Sequence, residues 1–221
     1  MKKSLYIFLY ICAILMIAGC ATTSKQTSEE DSQYLTTLGN FSPFKLGDAI
    51  SLWKSGDDVS PCEMELFCIP RTNKIEIYFS SSIDKVCLIM DAKDCAAFDE
   101  NLLKYMNDYN EGNFDKNHKP KKDNSYGFME PSVSWGVFGY NSYNADIKAR
   151  FNYEIIGGKP YFSMNMESGL ANGQTDIYSP KMTMYFSPSQ LETIKEITDS
   201  EIIMAHIKEL EKEAYEFDYQ F

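Results

Sequence analysis

The amino-acid sequence predicts an α+β fold, in which a mainly antiparallel sheet carries helices packed on one face. Three observations support this prediction. Short segments with alternating or continuous apolar residues, typical of strands, recur along the chain. Two of these segments lead directly into helix-capping residues and then into apolar residues at the spacing of an amphipathic helix. A Gly-Gly pair between two further apolar segments predicts a hairpin.

The first strand-and-helix unit begins in the middle third of the chain. Residues 74–79 alternate polar and apolar side chains, and residues 85–90 form a nearly continuous apolar run, so both predict strands. Asp91 then predicts a helix N-cap, with Asp94 three residues on. We expect the helix to end near Gly112. Its apolar face comprises Cys95, Phe98, Leu102, either Tyr105 or Met106, and Tyr109.

The second unit contains a hairpin and then a single strand. Residues 145–155 place apolar side chains at every second position, which predicts one strand with one buried face. Gly157 and Gly158 then turn the chain, and residues 160–166 return. Residues 182–186 predict a further strand before the carboxyl-terminal helices.

Two capping patterns predict the last two helices. Ser187, Pro188 and Gln190 combine an N-cap residue, a proline at the first helical position and the third-position partner of a capping box. Thr198 and Glu201 repeat the capping-box spacing before the final helix. The apolar faces comprise Leu191, Ile194 and Ile197, then Ile203, Ile207, Leu210, Ala214 and Phe217.

The two strand-and-helix units share a layout, because in each a short apolar strand is followed directly by a capping residue and a helix. Two interpretations remain open. The chain can hold two similar halves, residues 34–124 and 125–221, that descend from a duplication. Alternatively, the common strand-cap-helix pattern recurs independently within one globular domain, residues 34–221.

The amino terminus has the features of a cleaved secretory signal. Two lysines are followed by an apolar run, residues 5–17, that is shorter than the roughly 20 residues of a spanning helix. The run ends in Ile17-Ala18-Gly19-Cys20. This ending resembles the lipobox of bacterial lipoprotein signal peptides. An ordinary amino-terminal membrane anchor with an incidental cysteine is the alternative.

The resemblance implies a signal peptide over residues 1–19 and a lipid on Cys20, which becomes the new amino terminus after cleavage. Two or three acyl chains would hold the protein firmly on the cell membrane or the outer membrane, facing the periplasm or the exterior. Residues 21–33 are polar and without aromatics, so we expect a flexible tether between the lipid and the domain.

The charge of the chain limits its partners. A net charge of −11 disfavours binding to nucleic-acid backbones and to anionic lipid surfaces, so we expect no nucleic-acid partner. The one basic cluster, residues 116–122, lies in a stretch rich in Asn, Gly and Pro. We expect this cluster to be a solvated loop.

Four cysteines would remain after signal cleavage and lipidation. Export permits disulfides, but buried free thiols are equally compatible with the sequence, and both alternatives stay open. None of the spacings is C-x-x-C, so neither a zinc site nor a thioredoxin-like site is indicated. The disulfide candidates are Cys62, Cys68, Cys87 and Cys95.

The sequence holds none of the common nucleophile, phosphate-binding or zinc-protease motifs. Its two histidines, His118 and His206, lie in different predicted elements, so we predict no catalytic residue, no metal ligand and no cofactor. We therefore expect a non-catalytic domain that binds an envelope protein or ligand. The alternative is an envelope hydrolase that uses carboxylates, which a deep pocket with two unpaired carboxylates would favour.

One aromatic-rich segment is a candidate binding surface. Between residues 126 and 143, aromatic side chains alternate with Gly, Ser and Asn, a composition typical of adaptable binding surfaces. The alternative is a strand pair that covers the sheet, with Gly136, Gly139 and Asn141 near its turn. The candidate residues are Tyr126, Phe128, Trp135, Tyr140 and Tyr143.

Overall fold

The computed structural model describes residues 43–55, 58–70, 72, 74–81, 84–137 and 141–218. The predicted signal peptide, Cys20, the tether and Tyr140 lie outside these residues. No helix in the described part of the chain is long and apolar enough to cross a membrane.

The predicted α+β class is confirmed. Ten strands form one antiparallel sheet, and the described residues also contain three α-helices. The strands are β1 (Phe44–Ser55), β2 (Asp58–Ile69), β3 (Lys74–Ser81), β4 (Asp84–Met90), β5 (Gly127–Met129), β6 (Ser132–Val137), β7 (Asn141–Asp146), β8 (Ala149–Ile156), β9 (Lys159–Met166) and β10 (Met182–Phe186). The helices are α1 (Ala92–Glu111), α2 (Pro188–Ile197) and α3 (Ser200–Asp218).

The strands of the two candidate halves belong to a single ladder, in which β1 to β4 form a central block flanked on both sides by strands of the second half. The strand order is β5-β8-β9-β10-β1-β2-β3-β4-β6-β7, and every paired neighbour is antiparallel. Strand β10 pairs with β1, and β4 pairs with β6, so each half is hydrogen-bonded to the other twice.

A bent hairpin links the two ends of this ladder and curls the sheet. One arm of this hairpin consists of β5 and β6, and the other consists of β7 and β8. Two residues separate the strands within each arm, and the pairing of the two arms keeps the same register on both sides of this break. At the bend, the Ile147 N–H donates to the Pro131 carbonyl over 3.0 Å. Because β6 pairs with β4 and β8 pairs with β9, the hairpin joins both ends.

The bend corrects one sequence prediction. A single strand was predicted over residues 145–155, but β7 ends at Asp146 and β8 begins at Ala149. The alternation of buried side chains continues through the bend, because Ala145, Ile147 and Ala149 are all buried. The predicted inward face is therefore right, while the predicted continuity of the strand is wrong.

The hairpin of β1 and β2 was not predicted. Its register shifts between Lys45 and Gly47, which interrupts the period of two in β1. In β2, exposed Glu63 and Glu65 alternate with buried neighbours, so a clear strand signal was present there. The buried partners on this strand are Cys62, Met64, Leu66 and Cys68.

The helices cover the inward face of the sheet, which forms the core. Helix α1 buries Phe98, Leu102 and Tyr105, and the Tyr105 hydroxyl donates to the Pro160 carbonyl at 3.0 Å. Helix α2 buries Leu191 and Ile194, and α3 buries Ile203 and Ile207 against the same cluster.

Two of the three predicted caps are confirmed. Asp91 and Asp94 form a reciprocal capping box at the start of α1. The helix ends close to the predicted position, and its C-cap Gly112 adopts a left-handed backbone. Ser187 and Gln190 form the capping box of α2.

The cap of α3 differs from the prediction. The Asp199 carboxylate accepts the N–H groups of Glu201 and Ile202 at 2.9 and 3.1 Å. Thr198 does not act as the cap because its hydroxyl donates to the Ile194 carbonyl of the preceding helix, over 2.8 Å.

Candidate functional site

An apolar cavity of about 260 Å³ lies between the inward face of the sheet and helices α1 and α2. Strands β2, β3 and β4 form one wall, and β9 and β10 form another. The side chains that line these walls are Met64, Ile75, Ile77, Leu88, Met90, Met164, Met184 and Phe186, with Phe98 and Ile194 from the helices.

Methionine is prominent in these walls, which Met64, Met90, Met164 and Met184 help to form. Methionine is unbranched and polarisable, so it adapts to occupants of different shape more readily than β-branched residues do. All four side chains are buried. The cavity can therefore adjust to an apolar occupant by changes of rotamer.

Polar residues, of which Asp99 and Lys195 are exposed, line the end of the cavity that the helices form. Asp99 comes from the middle of α1, Lys195 from the last turn of α2, and Asp199 and Ser200 from the start of α3. We call this end the mouth. An apolar interior with polar groups at one end is the usual composition of a site for a small organic ligand.

The mouth does not offer a pair of unpaired carboxylates. Asp199 is committed to two backbone N–H groups as the cap of α3. Partial burial raises the pKa of Asp99 above its ordinary value, and the nearby positive charge of Lys195 opposes this shift. One carboxyl group is thus left at the mouth, where a hydrolase mechanism of the predicted kind needs two.

The four candidate cysteines are free thiols in the structure. Burial raises the pKa of Cys68 and of Cys87 to about 12 each. Burial also raises the pKa of Cys95, which lines the cavity, to about 12, and it raises that of Cys62. Because the thiolate is the reactive form, none of these thiols has the environment of a catalytic cysteine.

The predicted aromatic surface is divided between separate places. Trp135 is buried and packs against Tyr143 at a centroid distance of 5.8 Å, on the pair β6 and β7. Tyr126 lies in an interior cluster with Tyr105 and Phe162, and its hydroxyl donates to Asp108 over 2.7 Å.

Among the described residues of the set, Phe128 is the exposed one. Its ring is 47% exposed and lies beneath Lys148, whose Nζ is 4.3 Å from the ring centroid. The described residues of the set therefore form no continuous aromatic patch, and Trp135 and Tyr143 occupy the strand pair that was the alternative interpretation.

The cavity was not found from the sequence, although several of the residues that line it were assigned to buried positions. Sequence periodicity assigned Ile75, Ile77 and Leu88 to strands and Ile194 to a buried helix face. Periodicity identifies which side chains point inward, but whether they meet depends on the distance between two layers. The Met spacing along β9 and β10 was the one local signal of an adaptable interior.

Within the described ranges, no group of three His, Cys, Asp or Glu side chains is placed to hold a metal ion. The fold and site define a class of α+β protein in which a curled antiparallel sheet and its helices enclose an apolar cavity with a polar mouth. Residues 43–205 match a family described as "Uncharacterised Treponema protein", and the chain belongs to this family.

A relative from Treponema pallidum (strain Nichols), described as "Uncharacterized protein", is 25% identical over 193 residues. The similarity covers 86% of this chain and 69% of the relative, so it extends beyond the cavity to most of both chains. No solved structure matches the chain.

Proposed function

We propose that this protein is a lipid-anchored, non-catalytic binding protein of the bacterial cell envelope, and that its domain holds a small amphipathic molecule in the apolar cavity. The observation that carries the binding part is the cavity itself, with a volume of about 260 Å³ and apolar walls. An apolar cavity of about 150 Å³ is already large enough to bind benzene.

The cavity is larger than a packing defect of an ordinary core. Protein interiors contain few voids larger than a water molecule. The side chains around an unfilled apolar space lack contacts on one side, which lowers the stability of the domain. An apolar occupant would restore the missing contacts and recover much of this lost stability.

The mouth indicates the other end of the ligand. Asp99, Lys195 and Ser200 can donate or accept hydrogen bonds there, while the interior offers almost none. The ligand is therefore an amphipathic molecule, with an apolar body inside and a polar group at the mouth. Such molecules partition into membranes, next to which the anchor would hold the domain.

The anchor rests on the lipobox-like ending at Cys20 and on the acyl chains that it would carry. It places the domain at the cell membrane or the outer membrane, facing the periplasm or the exterior. The net charge of −11 supports attachment through lipid rather than through a basic surface.

Photolabelling tests the binding site in the full-length, membrane-bound protein. A photoactivatable alkyl alcohol is added to membranes, and the labelled residues are mapped by mass spectrometry. We expect label on residues of the cavity wall, such as Met164 and Met184. Ile77→Phe places a larger side chain in the cavity and should reduce this labelling severalfold.

The matched control is Ile147→Phe, because Ile147 is similarly buried but does not line the cavity. The Ile147→Phe variant overpacks the core and should be less stable than the unchanged protein. Under conditions in which this variant is folded, its labelling pattern should be that of the unchanged protein. Label confined to exposed surface residues, or unchanged by Ile77→Phe, would contradict ligand binding in the cavity.

A further inference from the structure

A second, polar groove of about 450 Å³ lies on the outward face of the sheet. Strands β8, β9 and β10 form its floor, and the chain between α1 and β5 forms one wall. On the floor, Arg150, Asn165 and Thr183 form a cross-strand row, because Asn165 is the register partner of both other residues. Asn152 and Ser163 form the adjacent row.

The wall of the groove is fixed to the sheet. His118 Nε2 lies 2.6 Å from Asn152 Oδ1, and the His118 ring stacks on Tyr153 at a centroid distance of 3.9 Å. Asn152 Nδ2 also donates to Asn124 Oδ1 over 3.2 Å. The basic cluster, residues 116–122, is the predicted loop with exposed residues, except that His118 is half-buried in these contacts.

The fixed wall holds lysines beside the polar floor. Lys121 N–H donates to Asn124 Oδ1 over 2.7 Å, so this part of the backbone is anchored through the same asparagine that contacts Asn152. Lys121 and Lys122 line the groove with exposed side chains, and Lys181 lines it just before β10. The backbone that carries Lys121 is therefore held in place by hydrogen bonds before any ligand binds.

The two carboxylates of the groove already have partners. Glu167 pairs with Arg150 at 2.7 Å. Glu154 accepts the Tyr185 hydroxyl at 2.9 Å and lies 3.7 Å from Lys54. Arg150 and, more weakly, Lys122 lower the pKa of Glu167, so part of the charge of Lys122 is offset. No carboxylate of the described residues lies within ion-pair distance of Lys121, Lys122 or Lys181, and the groove keeps more positive than negative charge.

We propose that this groove binds a sugar that carries phosphate, sulfate or carboxylate groups. The lysines supply the charge for the anionic group, and the amides and hydroxyls of Asn165, Thr183 and Ser168 supply paired donors and acceptors for sugar hydroxyls. Because the whole chain has a net charge of −11, it does not attract anions in general, and an anion would be attracted only where the groove lysines lie. Its concave shape suits a discrete ligand better than a flat lipid surface.

The site is independent of the cavity, because the two lie on opposite faces of the sheet. Residues at alternate positions of β8 show this: Phe151 points into the core, whereas Arg150 and Asn152 line the groove. Loss of one binding activity therefore leaves the other measurable.

Calorimetric titration of the full-length protein in detergent tests the proposal, with glucose 6-phosphate and glucuronate as probes and glucose as the neutral reference. We expect both anionic sugars to bind, glucose to bind at least about tenfold more weakly, and affinity to fall with added salt. The double variant Lys121→Gln, Lys181→Gln should lose at least about tenfold in affinity for the anionic sugars.

Lys159→Gln is the matched control, because Lys159 is exposed at the opposite end of β9 and does not line the groove. Its affinity should equal that of the unchanged protein. Absence of binding by both anionic sugars overturns the proposal, as does equal binding of glucose. Binding only to phosphatidylglycerol vesicles, lost in the double variant, also overturns it and assigns the groove to a membrane surface.

Discussion

The side-chain amide of Asn101 fills the space that a side chain at Gly127 would need, and this close approach fits helix α1 against the edge strand β5. A Cβ atom at position 127 would collide with Asn101 Oδ1. Asn101 is 4% exposed, and its Nδ2 donates to the Ala97 carbonyl over 2.6 Å. The amide therefore has little freedom to move away.

Gly127→Ala should destabilise the domain by about 1–3 kcal/mol, because overpacking at a buried contact shifts backbone or side chains. Denaturant melts of the single and double variants measure this effect. In the Asn101→Ala background the collision is absent, so the added cost of Gly127→Ala should be much smaller. Additive effects of the two substitutions would show that the contact is not the cause.

Attachment to the membrane should depend on Cys20. Cys20→Ser removes the thiol that the lipobox resemblance implies as the lipid acceptor. The variant should incorporate no fatty acid in metabolic labelling and should leave the membrane fraction, because no acyl chain remains. Cys12→Ser, within the predicted signal peptide, is the matched control and should keep its label. Label retained by Cys20→Ser would contradict a lipid on this residue.

Buried cysteines should be protected from alkylation until the protein unfolds. Burial raises the pKa of Cys68 and Cys87 to about 12, so little thiolate forms near neutral pH. Iodoacetamide should modify the peptides of both residues only after denaturant is added, without any reductant. A requirement for reductant would show disulfides, the alternative that the sequence leaves open.

Much of the fold was predictable because its signals are local. The boundaries of β10 and the capping boxes at Asp91 and Ser187 follow from residues within one turn of each other. The curl of the sheet was not predictable in this way. It depends on the bent hairpin at Pro131 and Ile147, whose strand β8 pairs with the adjacent β9 while its strand β6 pairs with β4, on the far side of helix α1 in the sequence.

The sites were less predictable than the fold. The cavity requires side chains of distant strands and two helices to stop short of filling the interior, which no single segment encodes. The groove requires the basic cluster to dock, and that depends on Asn152, a polar residue on an otherwise ordinary strand. Sequence patterns identified the lysines but not their fixed position.

Stability should change with pH through Asp99 at the mouth of the cavity. Although Asp99 is exposed at the surface, partial loss of hydration raises the pKa of its carboxyl group in the folded state above the ordinary value of 3.8, and Lys195 opposes this shift. At a pH between the pKa of Asp99 in the unfolded chain and its raised pKa in the folded state, the folded state binds more protons than the unfolded chain. The charged Asp99 therefore lowers the free energy of unfolding at neutral pH, and this loss is reversed as the pH falls through the folded-state pKa. Below the unfolded pKa no further gain follows.

Asp99→Asn should therefore be slightly more stable than the unchanged protein at pH 7, and this advantage should shrink as the pH is lowered toward 4. Denaturant melts across this range give the difference directly, so the titration of other carboxyl groups largely cancels. Asp176→Asn, at an exposed loop position that does not line the cavity, is the control and should show no comparable trend. A pH-independent difference for Asp99→Asn would contradict the raised pKa.

Helix α2 should depend more on its buried face than on its cap. The Ser187 hydroxyl accepts the Gln190 N–H at 3.4 Å, and Gln190 Oε1 accepts the Ser187 N–H at 2.8 Å. Ser187→Ala removes one of these bonds and should cost about 1 kcal/mol. Ile194 is 3% exposed and lines the cavity, so Ile194→Ala enlarges a void and should cost about 2–5 kcal/mol.

Denaturant melts of the two variants establish the ranking. Glu192→Ala, at an exposed position of the same helix, controls for changes in helix propensity and should alter stability by about 0.5 kcal/mol or less. Because Ile194→Ala also widens the cavity, the photoactivatable alcohol should still label Met184 in this variant. If Ile194→Ala were as stable as the unchanged protein while Ser187→Ala unfolded, the conclusion that α2 packs over the cavity through Ile194 would be contradicted.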